Sequence, residues 1–201
     1  MMKILIGIPC MGSIRAETVG SLCGVIKAYK HIDIGAYIMA NSLVYHARDE
    51  ILRQALNEKV DYLLFLDSDI KFPTSALQRL LDLNQGIVTG IYYPRVETNK
   101  KPVIYSSITP RDIFHKEPKA EAFTGQIQGL TRIAACGMGF CLIRRDVIIK
   151  MSNKYKSPFE PFKGMGEDIS FCYRLKKIGI PLYALDVGLE HIGTKSYRKE
   201  N

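Results

Sequence analysis

The sequence lacks any apolar run approaching the roughly 18 residues that a membrane-spanning helix needs, so no transmembrane segment is expected. Its start, Met1 to Pro9, is apolar but too short for a signal peptide and reads as a first buried strand. It also lacks a CxxC pair. The cysteines, Cys10, Cys23, Cys136, Cys141 and Cys172, are odd in number and lie mostly inside apolar runs. That pattern argues against a disulfide framework or a structural zinc site and fits a reducing, cytoplasmic setting. No internal repeat and no low-complexity linker interrupts the chain, so its 201 residues are expected to form one domain with a sizeable core. There is no arginine-rich run and no basic patch interleaved with aromatics, so nucleic-acid binding is not indicated. The net charge of +8 is compatible with polyanionic partners, including phosphorylated small molecules, and on its own reads as a solvated basic surface.

Hydrophobic residues make up 47% and charged residues 24%, the balance of a globular protein. Residues 3–9 read as a strand, 15–28 as a helix, 34–39 as a strand and 43–56 as a helix. On that second helix Val44, Ala47, Ile51, Leu52 and Ala55 share one face. The run Tyr62-Leu63-Leu64-Phe65-Leu66 is apolar throughout and flanked by acids, the mark of a central strand covered on both sides. Pro73 and Thr74 open a helix to Asn84, and 87–92 is a further strand. Residues 94–132 carry four prolines and weak periodicity, and are expected to be loops and short irregular strands facing an acceptor. Regular structure returns with strands at 133–136 and 140–143, a helix near 146–151, a helix at 168–178 ended by Gly179, and a strand at 181–185. Residues 194–201 are expected to form a mobile basic tail. Strands alternating with helices imply an α/β domain over residues 1–193, with a mainly parallel central sheet and helices on both faces.

Three segments carry chemistry. Asp67-Ser68-Asp69 leaves the carboxyl end of the buried strand, the edge where ligands bind in open α/β sheets. Extended alternation would put Asp67 and Asp69 on one side and Ser68 on the other, and two converging carboxylates call for a cation such as Mn2+ or Mg2+. The same acids could equally be solvated turn residues or a cap for the next helix. Gly164-Met165-Gly166-Glu167-Asp168 delivers two acids to a helix start, where capping and general-base chemistry are both open. His191, in Glu190-His191-Ile192-Gly193, follows the last strand and could close a metal site with Asp69. His31, His46 and His115 lack such a context.

Taken in order, Pro9, Ala47-Arg48-Asp49, Asp67-Ser68-Asp69, Gly137-Met138-Gly139, Glu167-Asp168 and His191 resemble the motif succession of family-2-like glycosyltransferases of the GT-A fold. The resemblance runs from Ile4 to Gly193, with Arg48-Asp49 standing where the family usually has Arg-Asn. It implies a UDP- or GDP-sugar donor, an acceptor hydroxyl, and a metal held by Asp69 and His191, with Asp67 on the ribose or the same metal. It further implies Asp168 as the base and Glu167 positioning it or the acceptor. Pro9, Cys10, Met11, Arg48 and Ser68 would line the nucleotide pocket, and Gly137, Met138 and Gly139 would let the backbone approach the sugar or acceptor. The resulting reaction is sugar transfer with inversion. Two alternatives remain at this level: a nucleotidyltransferase, for which Met11-Gly12-Ser13-Ile14-Arg15 is a poor version of the needed loop, and a non-catalytic sugar-nucleotide or glycan-binding module.

Overall fold

The computed structural model describes residues 1–95, 101–110, 119–193 and 196–197. The chain begins β1 (Lys3–Cys10), α1 (Ala16–Ala28), β2 (Asp33–Ala40), α2 (Val44–Asn57) and β3 (Tyr62–Leu66). It continues β4 (Ile70–Lys71), α3 (Ser75–Leu81), β5 (Ile87–Gly90), β6 (Ile104–Thr109), β7 (Lys119–Ala122), β8 (Thr131–Ile133) and β9 (Ala135–Cys136). It ends β10 (Phe140–Arg144), α4 (Arg145–Lys154), α5 (Glu167–Lys177), β11 (Leu182–Leu185), β12 (Glu190–Ile192) and β13 (Ser196–Tyr197).

The central sheet has seven strands in the order β2-β1-β3-β10-β5-β11-β8. It is α/β, as expected, but mixed rather than mainly parallel. β1 pairs parallel with β2 and β3, and β11 pairs parallel with β5. β10 enters between β3 and β5 antiparallel to both, and β8 is antiparallel to β11. The sequence does not announce this reversal, because an apolar strand looks the same read in either direction.

Both faces of the sheet are covered, which explains the unbroken apolar run of β3. Leu63 and Phe65 pack with Ile51, Leu52 and Ala55 of α2, Val147 and Ile148 of α4, and Phe171 and Leu175 of α5. Leu64 and Leu66 turn the other way, onto Val25 of α1 and Ala76, Leu77 and Leu80 of α3. Period-two alternation on the strand thus meets helical stripes on each side. All five cysteines are free thiols, with Cys23 exposed and the other four buried. Among the described residues no helix is long and apolar enough to cross a membrane.

The proline-rich stretch does form short strands. β6 pairs antiparallel with β7 and β9 in a separate sheet, while residues 96–100 and 111–118 of that stretch lie outside the described residues. The expected strand at 133–136 is divided: β8 joins the main sheet and β9 the small one. Within the segment expected to form the tail, Ser196–Tyr197 pair with His191 and Ile192 as β13. The remainder of the tail lies outside the described residues.

Candidate functional site

Because β5 runs parallel to β1 and β3, the carboxyl ends of β1, β2, β3 and β5 all open on one edge of the sheet. A cleft of about 930 Å³ lies there. Pro9 and Cys10 end β1 and Met11 follows it into the wall, Ser42 and Val44 follow β2, Asp67, Ser68 and Asp69 follow β3, and Tyr92 and Arg95 follow β5. Arg48 from α2, Glu167 from α5 and His191 from β12 complete it.

The Asp-Ser-Asp segment is not a continuation of the strand. After Leu66 the backbone turns, and the Ile70 N–H donates to the Asp67 carbonyl at 3.3 Å. The turn is pinned from three directions. The Asp67 N–H donates to the Gly139 carbonyl at 2.9 Å, the Arg15 N–H to the Ser68 carbonyl at 2.8 Å, and the Ile192 N–H to the Asp69 carbonyl at 2.7 Å. The same-side geometry of an extended chain is therefore lost, and the two carboxylates part company.

Asp67 lines the cleft and turns one oxygen onto a buried cation. Its Oδ1 accepts from Arg48 Nη2 at 2.9 Å. The Arg48 side chain is only 4% exposed, lies over the Phe65 ring, and donates from Nη1 to the Met138 carbonyl. Its Nε points toward Glu167 Oε1 at 3.8 Å, and among the described residues it has no hydrogen-bond acceptor. Burial works against this cation, but Asp67 and Glu167 more than compensate and raise its pKa. The neighbouring Asp49 leaves the cleft: it accepts the Phe159 N–H at 3.0 Å, and burial pushes its carboxyl up.

Asp69 faces the cleft. Its Oδ1 lies 3.3 Å from His191 Nε2, and its Oδ2 accepts from Arg95 Nη1 at 2.9 Å. Burial alone would raise the Asp69 carboxyl; the hydrogen bond and charge of His191, with the charge of Arg95, outweigh burial and hold it below its ordinary value. β4 and β12 create the meeting, with His191 opposite Ile70 in the ladder. The other ring nitrogen, Nδ1, lies 2.8 Å from the Tyr93 carbonyl. A carbonyl oxygen only accepts, so Nδ1 carries hydrogen, and Nε2 is the ring atom that faces Asp69, where it can donate a proton or offer a lone pair to a cation.

This arrangement fits a divalent metal at Asp69 and His191. Metal-binding histidines characteristically donate their second ring N–H to a carbonyl or carboxylate, as His191 does to Tyr93. The expected trio of Asp67, Asp69 and His191 is not assembled, however. Among the described residues no three His, Cys, Asp or Glu side chains converge as a metal cage, because Asp67 is committed to Arg48. Two protein ligands suffice for Mn2+ or Mg2+ only if phosphate oxygens and water fill the remaining positions, which is how such ions are commonly held.

Gly137, Met138 and Gly139 stand behind the cleft rather than in its wall. Met138 is buried, and its carbonyl serves Arg48. A Cβ on Gly137 would fall 2.1 Å from the Tyr92 hydroxyl, and one on Gly139 2.9 Å from Asp67 Oδ2. The glycines therefore make room for Tyr92 and Asp67. Tyr92 itself accepts the Gly139 N–H and sets its ring edge-on to His191. Burial, with the Asp67 and Asp168 charges, keeps its hydroxyl protonated.

At α5, Gly166 caps the helix by backbone conformation, and neither acid caps it with a side chain. Glu167 lines the cleft, whereas Asp168, partly buried, is not among the lining residues, and its Oδ1 accepts the adjacent Ile169 N–H. Burial, then the Glu167 charge, lifts the Asp168 carboxyl from 3.8 to about 6. A helix start alone would have kept it fully ionised, and burial overrides that expectation.

Sequence reasoning missed Tyr92, Arg95, Arg15 and Ser42 in the cleft. The strand-end rule that found Asp67 would have reached Tyr92 and Arg95 had it been applied to β5. Arg15 and Ser42 follow in the same way from the ends of β1 and β2.

Searches against protein-family models and curated proteins find no match. Among solved structures, A197 from STIV is similar: 24% identity, TM-score 0.65, with 100% of this chain and 95% of that chain covered. At that identity the likeness shows the shared α/β fold and nothing finer.

Proposed function

We propose that this protein is a GT-A-type glycosyltransferase that moves a sugar from a nucleoside-diphosphate sugar to an acceptor hydroxyl, with inversion. The observation that carries the reading is the meeting of Asp69 and His191 in the strand-end cleft, with His191 fixed through Nδ1 so that Nε2 faces the Asp69 carboxylate. Bound there with Mn2+ or Mg2+, the diphosphate would find its developing negative charge neutralised by a Lewis acid. Pro9, Cys10 and Met11 form the wall for the nucleoside. Asp168, with a carboxyl near pKa 6, accepts the acceptor's proton as that oxygen attacks the anomeric carbon. The sugar–phosphate bond breaks and the nucleoside diphosphate departs. Glu167, on the wall, orients the acceptor.

The test is a thermal-shift screen of UDP- and GDP-sugars with and without Mn2+, followed by a transfer assay on any stabilising donor. A native-state ligand at about a hundred times its Kd stabilises by about 2.7 kcal/mol. Metal-dependent stabilisation with transfer supports the reading. Stabilisation without turnover points to a binding module, and no response to any sugar nucleotide defeats both.

A further inference from the structure

Asp69 already has a cation. We infer that Arg95 is a built-in stand-in for the metal: it neutralises Asp69 whenever no metal is bound, gives up that carboxylate when the metal arrives, and turns its guanidinium onto the diphosphate. This rests on the metal and donor reading given above.

Arg95 Nη1 lies 2.9 Å from Asp69 Oδ2, on the opposite oxygen from His191. Both oxygens of a carboxylate that is only 16% exposed are thereby occupied. A divalent ion at Asp69 would sit close to a guanidinium that never loses its charge, and like charges at such separations repel. Metal and Arg95 therefore compete for Asp69. The competition is useful because the Arg95 side chain is 50% exposed on the cleft wall and can move without disturbing the core. Arg48, the other guanidinium nearby, cannot do the same. It is buried and held by Asp67, the Met138 carbonyl and the Phe65 ring. Once displaced, Arg95 meets an incoming group that carries several phosphate oxygens, for which a planar fork of N–H donors is the matched partner. The metal is thus disfavoured alone and favoured together with a diphosphate, which makes the two bind as a pair.

The experiment is calorimetric titration of the parent, Arg95→Ala, Arg95→Lys and Asp69→Asn with MnCl2 alone and then with Mn2+–pyrophosphate, which needs no choice of base or sugar. Arg95→Ala should bind Mn2+ alone about two- to five-fold more tightly, the size of a released exposed ion pair. It should bind Mn2+–pyrophosphate about ten- to a hundred-fold more weakly, the size of a lost charge-assisted contact. Arg95→Lys should fall between, keeping the charge and losing the fork. The inference is overturned if Arg95→Ala binds Mn2+ no better than the parent, or binds Mn2+–pyrophosphate equally well. Asp69→Asn separates the two levels. If it binds Mn2+ as the parent does, the metal site itself is wrong. If it loses Mn2+ while Arg95→Ala behaves as the parent, only the role of Arg95 falls.

Discussion

Two clusters flank the same turn and differ chiefly in how far their guanidinium is buried: 4% of the Arg48 side chain is exposed against 50% of Arg95. On the inner side, Asp67 and Glu167 flank the buried guanidinium of Arg48 in the cleft wall. On the outer side, Asp69, His191 and Arg95 are strung along the opening, with Arg95 half exposed. Asp67 and Asp69 are separated by one residue, yet one is paired with a buried guanidinium and the other with a half-exposed guanidinium and an imidazole. Carboxylate spacing alone therefore says little about metal binding; the partner each acid acquires decides it. A buried pair cannot be opened cheaply, because either partner alone is an uncompensated charge, whereas an exposed pair exchanges its partner for another ion at little cost.

The sharpest way to test the division of labour lies just behind the inner cluster. Asp168→Asn should reduce transfer about a hundred- to ten-thousand-fold while leaving donor affinity unchanged. The same substitution should stabilise the protein at neutral pH. In the native state the Asp168 carboxyl titrates near 6, above its ordinary 3.8, so the native state holds the proton more tightly than the unfolded chain. Stability from this group is thus complete below about pH 4 and is lost as pH rises through about 6. Asn at 168 escapes that loss and should gain up to about 3 kcal/mol at pH 7, a gain that closes toward pH 4. Urea unfolding across that range, beside transfer assays, reads both effects. Parental activity, or a less stable variant at pH 7, would remove Asp168 from the role of base. In the parent, transfer should rise as pH increases through about 6.

Next in size is the inner cluster itself. Arg48→Met leaves Asp67 and Glu167 without their shared cation and should cost about 3–5 kcal/mol in urea unfolding. A loss below about 1 kcal/mol would mean that the inner ion pairs are no more structural than the outer ones. Gly139→Ala probes the packing between the clusters. Its methyl would stand 2.9 Å from both Asp67 Oδ2 and the Tyr92 ring, so a cost of about 1–3 kcal/mol is expected. Unchanged thermal stability would show that Asp67 and Tyr92 have room to yield. The smallest effect belongs to Arg95→Ala, at most about 1 kcal/mol on stability. A cost as large as that of Arg48→Met would erase the distinction drawn between inner and outer clusters.

Much of the fold was legible because it depends on local periodicity. On the expected helical face Ala47, Ile51, Leu52 and Ala55 are buried while Val44 is partly exposed on the cleft wall, and the two-sided run from Leu63 to Leu66 is buried as its pattern requires. The reversal of β10 was not legible, since side-chain alternation carries no strand direction. In the site, the position of the acids followed from the strand-end rule, and the proximity of Asp69 to His191 followed from the place of His191 after the last strand, with the resemblance in support. That Asp67 would be taken by Arg48 did not follow, because Arg48 sits on a helix surface whose burial depends on α5 and β3 together. Tyr92 and Arg95 carried no motif at all.

By itself, then, the sequence determined the apolar periods, the breaks at glycine and proline, and the delivery of acids to strand and helix ends, because these depend on neighbours a few residues away. The tertiary structure alone decided which way β10 runs, which carboxylate meets which cation, and how deeply Asp168 is buried. Hydrogen-bond pairing, ion pairing and desolvation all depend on segments remote in the chain. The same carboxyl group is solvated, paired or raised toward neutral pH according to what those segments place around it.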